Sequence, residues 1–136
     1  MFILIKYKFS KLIFGYNKLK GLLGVKIGSH SCTHPHLSNC NDGELQYELL
    51  DSKHYLEDLI GQTITNIAYP YGSTNHQVKG ATKRAGYEVG VWGGKPRFTI
   101  NRPERYNLML NRCVGLNNDT ARVLQQKLHG QFRSVI

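Results

Sequence analysis

The residues with the clearest capacity for chemistry lie in Gly28-Ser29-His30-Ser31-Cys32-Thr33-His34-Pro35-His36, which places three imidazoles within seven residues. Neutral imidazole is the commonest protein ligand for Zn²⁺ and similar ions. His30 and His34, four residues apart in a tight loop, can converge on one ion if a further ligand comes from elsewhere. A lone histidine is usually just a polar loop residue, but the clustering favours a binding site. Cys32 lies between the two histidines and would have to face the same way, so it is a poor third ligand. A second constellation is Ala68-Tyr69-Pro70-Tyr71-Gly72. A turn of this kind exposes backbone N–H groups, and one fixed near a metal can stabilise the oxyanion formed when water attacks an amide or ester. Read alone, it is equally a tyrosine-rich turn packed for its own sake.

The elements around these motifs alternate. Leu19, Leu22 and Leu23 fit a short helix over Tyr16 to Leu23 that closes at Gly24. Val25-Lys26-Ile27 reads as a brief strand, Gly28-Ser29 opens a loop, and Pro35 argues against helix at His34. Asn41-Asp42 has the form of an N-cap, followed by Leu45, Leu49, Leu56, Leu59 and Ile60 on one face until Gly61. Thr63 to Tyr69 is rich in β-branched residues and reads as a buried strand ending in the Pro70-Tyr71-Gly72 turn. Ser73 and Thr74 are the expected caps of a helix running to about Arg84 and stopping at Gly86, before a strand at Tyr87 to Trp92. Gly93 to Tyr106 reads as a loop, Leu108 to Val114 as a last strand and Thr120 to Leu128 as a last helix. This order predicts an α/β architecture, a parallel sheet or barrel with functional groups at the C-terminal ends of strands.

At 136 residues with 40% hydrophobic content, the chain holds one domain. Eighteen Lys and Arg against nine Asp and Glu give a net charge of +9, and no acid precedes Asp42. The basic start is read mainly as a solvated surface; nucleic-acid binding has no motif behind it. Apolar runs at Phe2–Ile5 and Leu12–Phe14 are too short for a signal peptide or a membrane span, so the chain is expected to be cytoplasmic or to lack its true N-terminus. Cys32, Cys40 and Cys113 cannot all pair within one molecule and match no zinc knuckle, so free thiols are expected.

Taken together, His-Ser-Cys-Thr-His-Pro and Tyr-Pro-Tyr-Gly, in this order with a helix between, resemble the NodB-like polysaccharide deacetylases. The resemblance runs from about Gly24 to about Gly130, with weaker agreement at Ala85-Gly86-Tyr87 and at Arg112 in Leu-Asn-Arg-Cys-Val, which looks like the closing strand of the group. It implies a distorted β/α barrel, here partial and lacking its first strands. Residues 1–23 would form a basic N-terminal segment, 24–130 the partial deacetylase domain and 131–136 a tail. It also implies metal-dependent hydrolysis of N-acetyl groups on a polysaccharide, in the cell envelope. By resemblance His30 and His34 would hold a divalent metal, with Zn²⁺ the expected ion. Ser31 would brace their loop, the Tyr71 backbone N–H would face the oxyanion, Tyr69, Pro70 and Trp92 would meet substrate, and Arg112 would be structural.

The chain departs from the family in one respect that matters chemically. Members carry Thr-Phe-Asp-Asp on an early strand, one Asp serving as base and the other as metal ligand, whereas this sequence has no Asp-Asp. Asp51 and Asp58 lie on a predicted helix and are poor substitutes, and His129 is assigned no role. Loss of the base is expected to cost a factor of about 10²–10⁴ and to weaken metal binding. The alternative function is therefore a non-catalytic remnant or glycan-binding module of the same fold. An open barrel edge would also invite self-association.

Overall fold

The computed structural model describes residues 2–5, 26–93, 107–111, 120 and 122–123. Five strands, β1 (Phe2–Ile5), β2 (Lys26–Ser29), β3 (Asn66–Ala68), β4 (Val89–Trp92) and β5 (Leu110–Asn111), form one sheet in the order β1-β2-β3-β4-β5. Every neighbouring pair is parallel, in registers that set Leu4 beside Gly28, Ser29 beside Ile67, Ala68 beside Val91, and Trp92 beside Asn111. Parallel neighbours require crossovers, and helices supply those between β2 and β3 and between β3 and β4. Among the described residues the sheet does not close. β1 was not foreseen: Phe2–Ile5 belongs to the sheet, so the sheet is not confined to residues after 23.

The first crossover is helical from Asp42 to Ile60: α1 (Asp42–Gln46), a π turn (Tyr47–Asp51) and α2 (Ser52–Ile60). Asn41 caps it through a capping box, its side chain accepting from the Glu44 N–H at 2.9 Å while Glu44 accepts from the Asn41 N–H at 2.8 Å. Leu45, Leu49, Leu56 and Ile60 are buried, whereas Leu59 lies on the flank of that stripe and is exposed. The second crossover contains α3 (His76–Arg84). Together these helices close a core of Leu37, Leu45, Leu49, Leu56, Ile64, Ile67, Tyr69 and Val78.

Several expected boundaries shift because backbone groups are already committed. β3 begins at Asn66 rather than Thr63, since the Ile64 N–H donates to Glu57 and its carbonyl accepts from Lys53 Nζ. β4 begins at Val89 rather than Tyr87, whose N–H returns to the Thr82 carbonyl. Asn75, not Ser73 or Thr74, caps α3, accepting from the Val78 N–H at 2.8 Å. The Ser73 hydroxyl is held instead by Ser38, from the N–H at 3.0 Å and the hydroxyl at 2.8 Å. β2 runs on through Gly28-Ser29, so the histidine loop opens at His30. The expected last strand from Leu108 begins instead at Leu110, after a 3-10 turn over Asn107–Met109; the expected helix over 16–23, residues 112–114 of that strand and most of the expected last helix lie outside the described residues. Among the described residues, no helix is long and apolar enough to cross a membrane.

Candidate metal centre

The histidine loop leaves the C-terminal end of β2 and meets the turn that follows β3. The backbone at this junction is unusual. Among the described residues, the three non-glycine positions with positive φ are Ser31 (63°), His34 (69°) and Tyr71 (55°), all of them here. Each such position costs about 1–3 kcal/mol and persists only where surrounding contacts enforce it. Those contacts are visible. The Ser31 N–H donates to Ser29 Oγ at 3.2 Å, the Cys32 and Thr33 N–H groups donate to Glu48 Oε2 at 2.8 and 2.9 Å, and the His34 N–H donates to Ser31 Oγ at 3.0 Å.

His30 Nδ1 lies 2.7 Å from the Ala68 carbonyl, across the strand ends. A carbonyl only accepts, so Nδ1 carries the proton and Nε2 presents its lone pair. That Nε2 is 3.1 Å from His34 Nε2, with the rings edge to face. Two imidazole nitrogens this close could both serve a single divalent ion. The donor set and its spacing therefore fit two positions of a divalent-metal site. Among the described residues no third His, Cys, Asp or Glu joins them. Burial, then the charge of Glu48, pushes the Cys32 thiol up to about 12, and its Sγ donates to the Tyr47 carbonyl at 3.3 Å. It is a buried thiol committed to the Tyr47 carbonyl.

The turn Pro70–Gly72 stands over this pair. The Tyr71 ring is 63% exposed, meets His34 edge to face at 4.6 Å between centroids, and stacks on His36 at 4.2 Å. The Trp92 indole N–H donates to the Gly72 carbonyl at 2.7 Å, tying the end of β4 to the turn. Gly72 has φ +65°, and a Cβ there would lie 2.7 Å from Trp92 Nε1. Tyr69 and Pro70, expected to meet substrate, have fully buried side chains, that of Tyr69 in the hydrophobic core. Arg112 lies outside the described residues.

Four further residues support the site: Glu48, Ser29, Ser52 and Tyr87. Glu48 is buried although charged, a sign present in the sequence as an acid three residues after Leu45 on the apolar stripe. Ser29 and Ser52 join their hydroxyls at 2.9 Å beneath the loop, and Tyr87 Oη reaches Ser52 Oγ at 3.3 Å. No local pattern announces that network.

The sequence profile of one family, polysaccharide deacetylase, matches residues 22–90. The Bacillus subtilis protein YxkH is 34% identical over 68 residues, covering 50% of this chain and 24% of that protein. A peptidoglycan-N-acetylglucosamine deacetylase of Bacillus cereus is 32% identical over 69 residues, covering 51% of this chain and 32% of that one. Among solved structures, the Streptococcus pyogenes deacetylase PplD, in complex with acetate, superposes with a TM-score of 0.71 at 28% identity, covering 85% of this chain and 49% of that one. The chain thus spans a quarter to a third of the curated relatives, and its open sheet is part of the β/α barrel of this group.

Proposed function

The chain belongs to the polysaccharide deacetylase family, and from that premise we propose that it carries the two-histidine part of a metal-dependent site for removing N-acetyl groups from an N-acetylated polysaccharide of the cell envelope. The observation that carries the proposal is the convergence of His30 and His34 Nε2 at 3.1 Å, with His30 oriented by the Ala68 carbonyl. A divalent ion held there, Zn²⁺ for preference, supplies Lewis acidity that polarises a carbonyl and acidifies water. The protein's own part is to bind and orient. His30 keeps its Nδ1 proton on Ala68 and so keeps Nε2 available. Ser31 Oγ fixes the His34 backbone. The Tyr71 backbone N–H faces the oxyanion, and the exposed Tyr71 ring and half-buried Trp92 offer flat faces to sugar rings. Proton transfer from water needs a base, and neither Asp51 nor Asp58 meets the histidine pair among the described residues.

That last observation favours a second reading, a glycan-binding remnant of the same fold. Zn²⁺ titration by calorimetry, beside His30→Ala and His34→Ala, separates site from no site. One-to-one binding abolished by both substitutions is expected; absence of binding by the unmodified chain overturns the metal proposal. Acetate release from N-acetylglucosamine oligomers then distinguishes hydrolysis from binding alone.

A further inference from the structure

We infer that Glu48 is the positioning residue of the histidine loop, holding His34 against His30 from the crossover helix without touching the metal. The inference rests on the reading of His30 and His34 as ligands. Glu48 is 4% exposed, and a buried carboxylate is tolerated only where its lone pairs are occupied. Three donors occupy them: the Cys32 and Thr33 N–H groups on Oε2 and the Thr33 hydroxyl on Oε1 at 2.5 Å. All three belong to two adjacent residues midway between the histidines.

The accounting of the loop backbone makes Glu48 decisive. Four consecutive N–H groups, Ser31 to His34, are all taken by side chains, two of them by Glu48. Paired N–H groups beside a left-handed residue form a concavity that takes an anion, and here the anion is the protein's own. Ser31 is local to the loop, and Ser29, the last residue of β2, reaches the crossover helix only through the Ser52 hydroxyl at 2.9 Å. Glu48 is the acceptor that itself stands on that helical crossover and takes loop N–H groups directly. It lies in the π turn Tyr47–Asp51, where the wider turn re-aims side chains relative to the flanking α-helix. Without Glu48, two of the four bonds that hold the loop between the left-handed Ser31 and His34 are lost, and the two Nε2 atoms need no longer converge.

The test compares Glu48→Ala, Glu48→Gln and Thr33→Val with Leu56→Ala, a core substitution remote from the loop. Two readouts are taken: imidazole ¹⁵N shifts with Cys32 and Thr33 amide exchange in the metal-free chain, and Zn²⁺ affinity. Glu48→Ala is expected to lower affinity by about ten- to a hundredfold, to release both amides and to move the His34 ring signals. Glu48→Gln retains an acceptor for the N–H groups and should recover affinity to within a few fold. Thr33→Val, which removes one donor, should fall between. Leu56→Ala should lower the melting temperature while leaving both readouts unchanged. Native ring shifts and affinity in folded Glu48→Ala would overturn the inference, as would equal losses in Leu56→Ala. If Glu48→Ala does not fold, Thr33→Val with wild-type readouts overturns it. If the unmodified chain binds no Zn²⁺, the metal reading fails and the metal-free readouts decide the role of Glu48 alone.

Discussion

Substituting Gly72 by alanine tests how the turn over the histidines is held. Gly72 and Gly61 share φ +65°, but nothing lies within 4 Å of a Cβ at Gly61, while one at Gly72 would meet Trp92 Nε1 at 2.7 Å, Cδ1 at 2.9 Å and the Gly93 carbonyl at 3.0 Å. Both alanines bear the left-handed penalty, about 1–2 kcal/mol, reduced by about 0.4–1 kcal/mol through the stiffer unfolded chain. Gly61→Ala should therefore cost about 1 kcal/mol. Gly72→Ala must also displace the indole, losing a hydrogen bond worth about 1 kcal/mol and adding overpacking of about 1–3 kcal/mol. Its total should reach about 3–5 kcal/mol. Urea unfolding measures both, and Trp92, the sole tryptophan of the chain, reports on the turn directly through its emission. Equal destabilisation by the two alanines, with unchanged Trp92 emission in Gly72→Ala, would refute the argument that the indole and turn are locked together.

Two other outcomes follow from buried groups. Ser52→Ala removes the hydroxyl that links Ser29, the Leu49 carbonyl and Tyr87; it should cost about 1–3 kcal/mol in unfolding free energy, and a neutral result would show the network to be dispensable. Burial pushes the Cys32 thiol from 9.0 to about 12, with Glu48 adding to it, and the Tyr87 phenol from 10.0 to about 12. The unfolded chain then loses these protons first, so the contribution of these two groups to stability should be constant from neutral pH to about pH 9 and fall as pH rises toward 12. Urea midpoints at pH 8, 9.5 and 10.5 measure the slope; Cys32→Ala should flatten its first part, and an unchanged slope would remove Cys32 as the cause.

What the sequence disclosed was local chemistry. His30 and His34, the Pro70–Gly72 turn and the Asn41 cap are patterns within a few residues, and the 3.6-residue period of Leu45, Leu49, Leu56 and Ile60 depends on nothing distant. What it concealed depends on partners far along the chain. Glu48 reads as an ordinary helix acid until Cys32 and Thr33, sixteen and fifteen residues earlier, supply their donors. Ser73 is a plausible cap until Ser38 claims its hydroxyl. Tyr69 and Pro70 look accessible in an aromatic turn, yet the end of β3 points Tyr69 into the core. Phe2–Ile5 is a four-residue apolar run that only its pairing with β2 makes a strand.

The sheet's spatial order repeats its order along the chain. Each strand therefore finds its neighbour in the next strand to be made, and no pairing waits for a distant segment to return. Assembly can proceed by accretion, one crossover at a time, with coupling passed chiefly between adjacent units as in a short repeat array. The histidine loop and the Tyr71 turn sit on consecutive members of that series, β2 and β3. Their junction is thus brought together once a single crossover has docked, and β4, the next strand in the series, then locks the turn through Trp92.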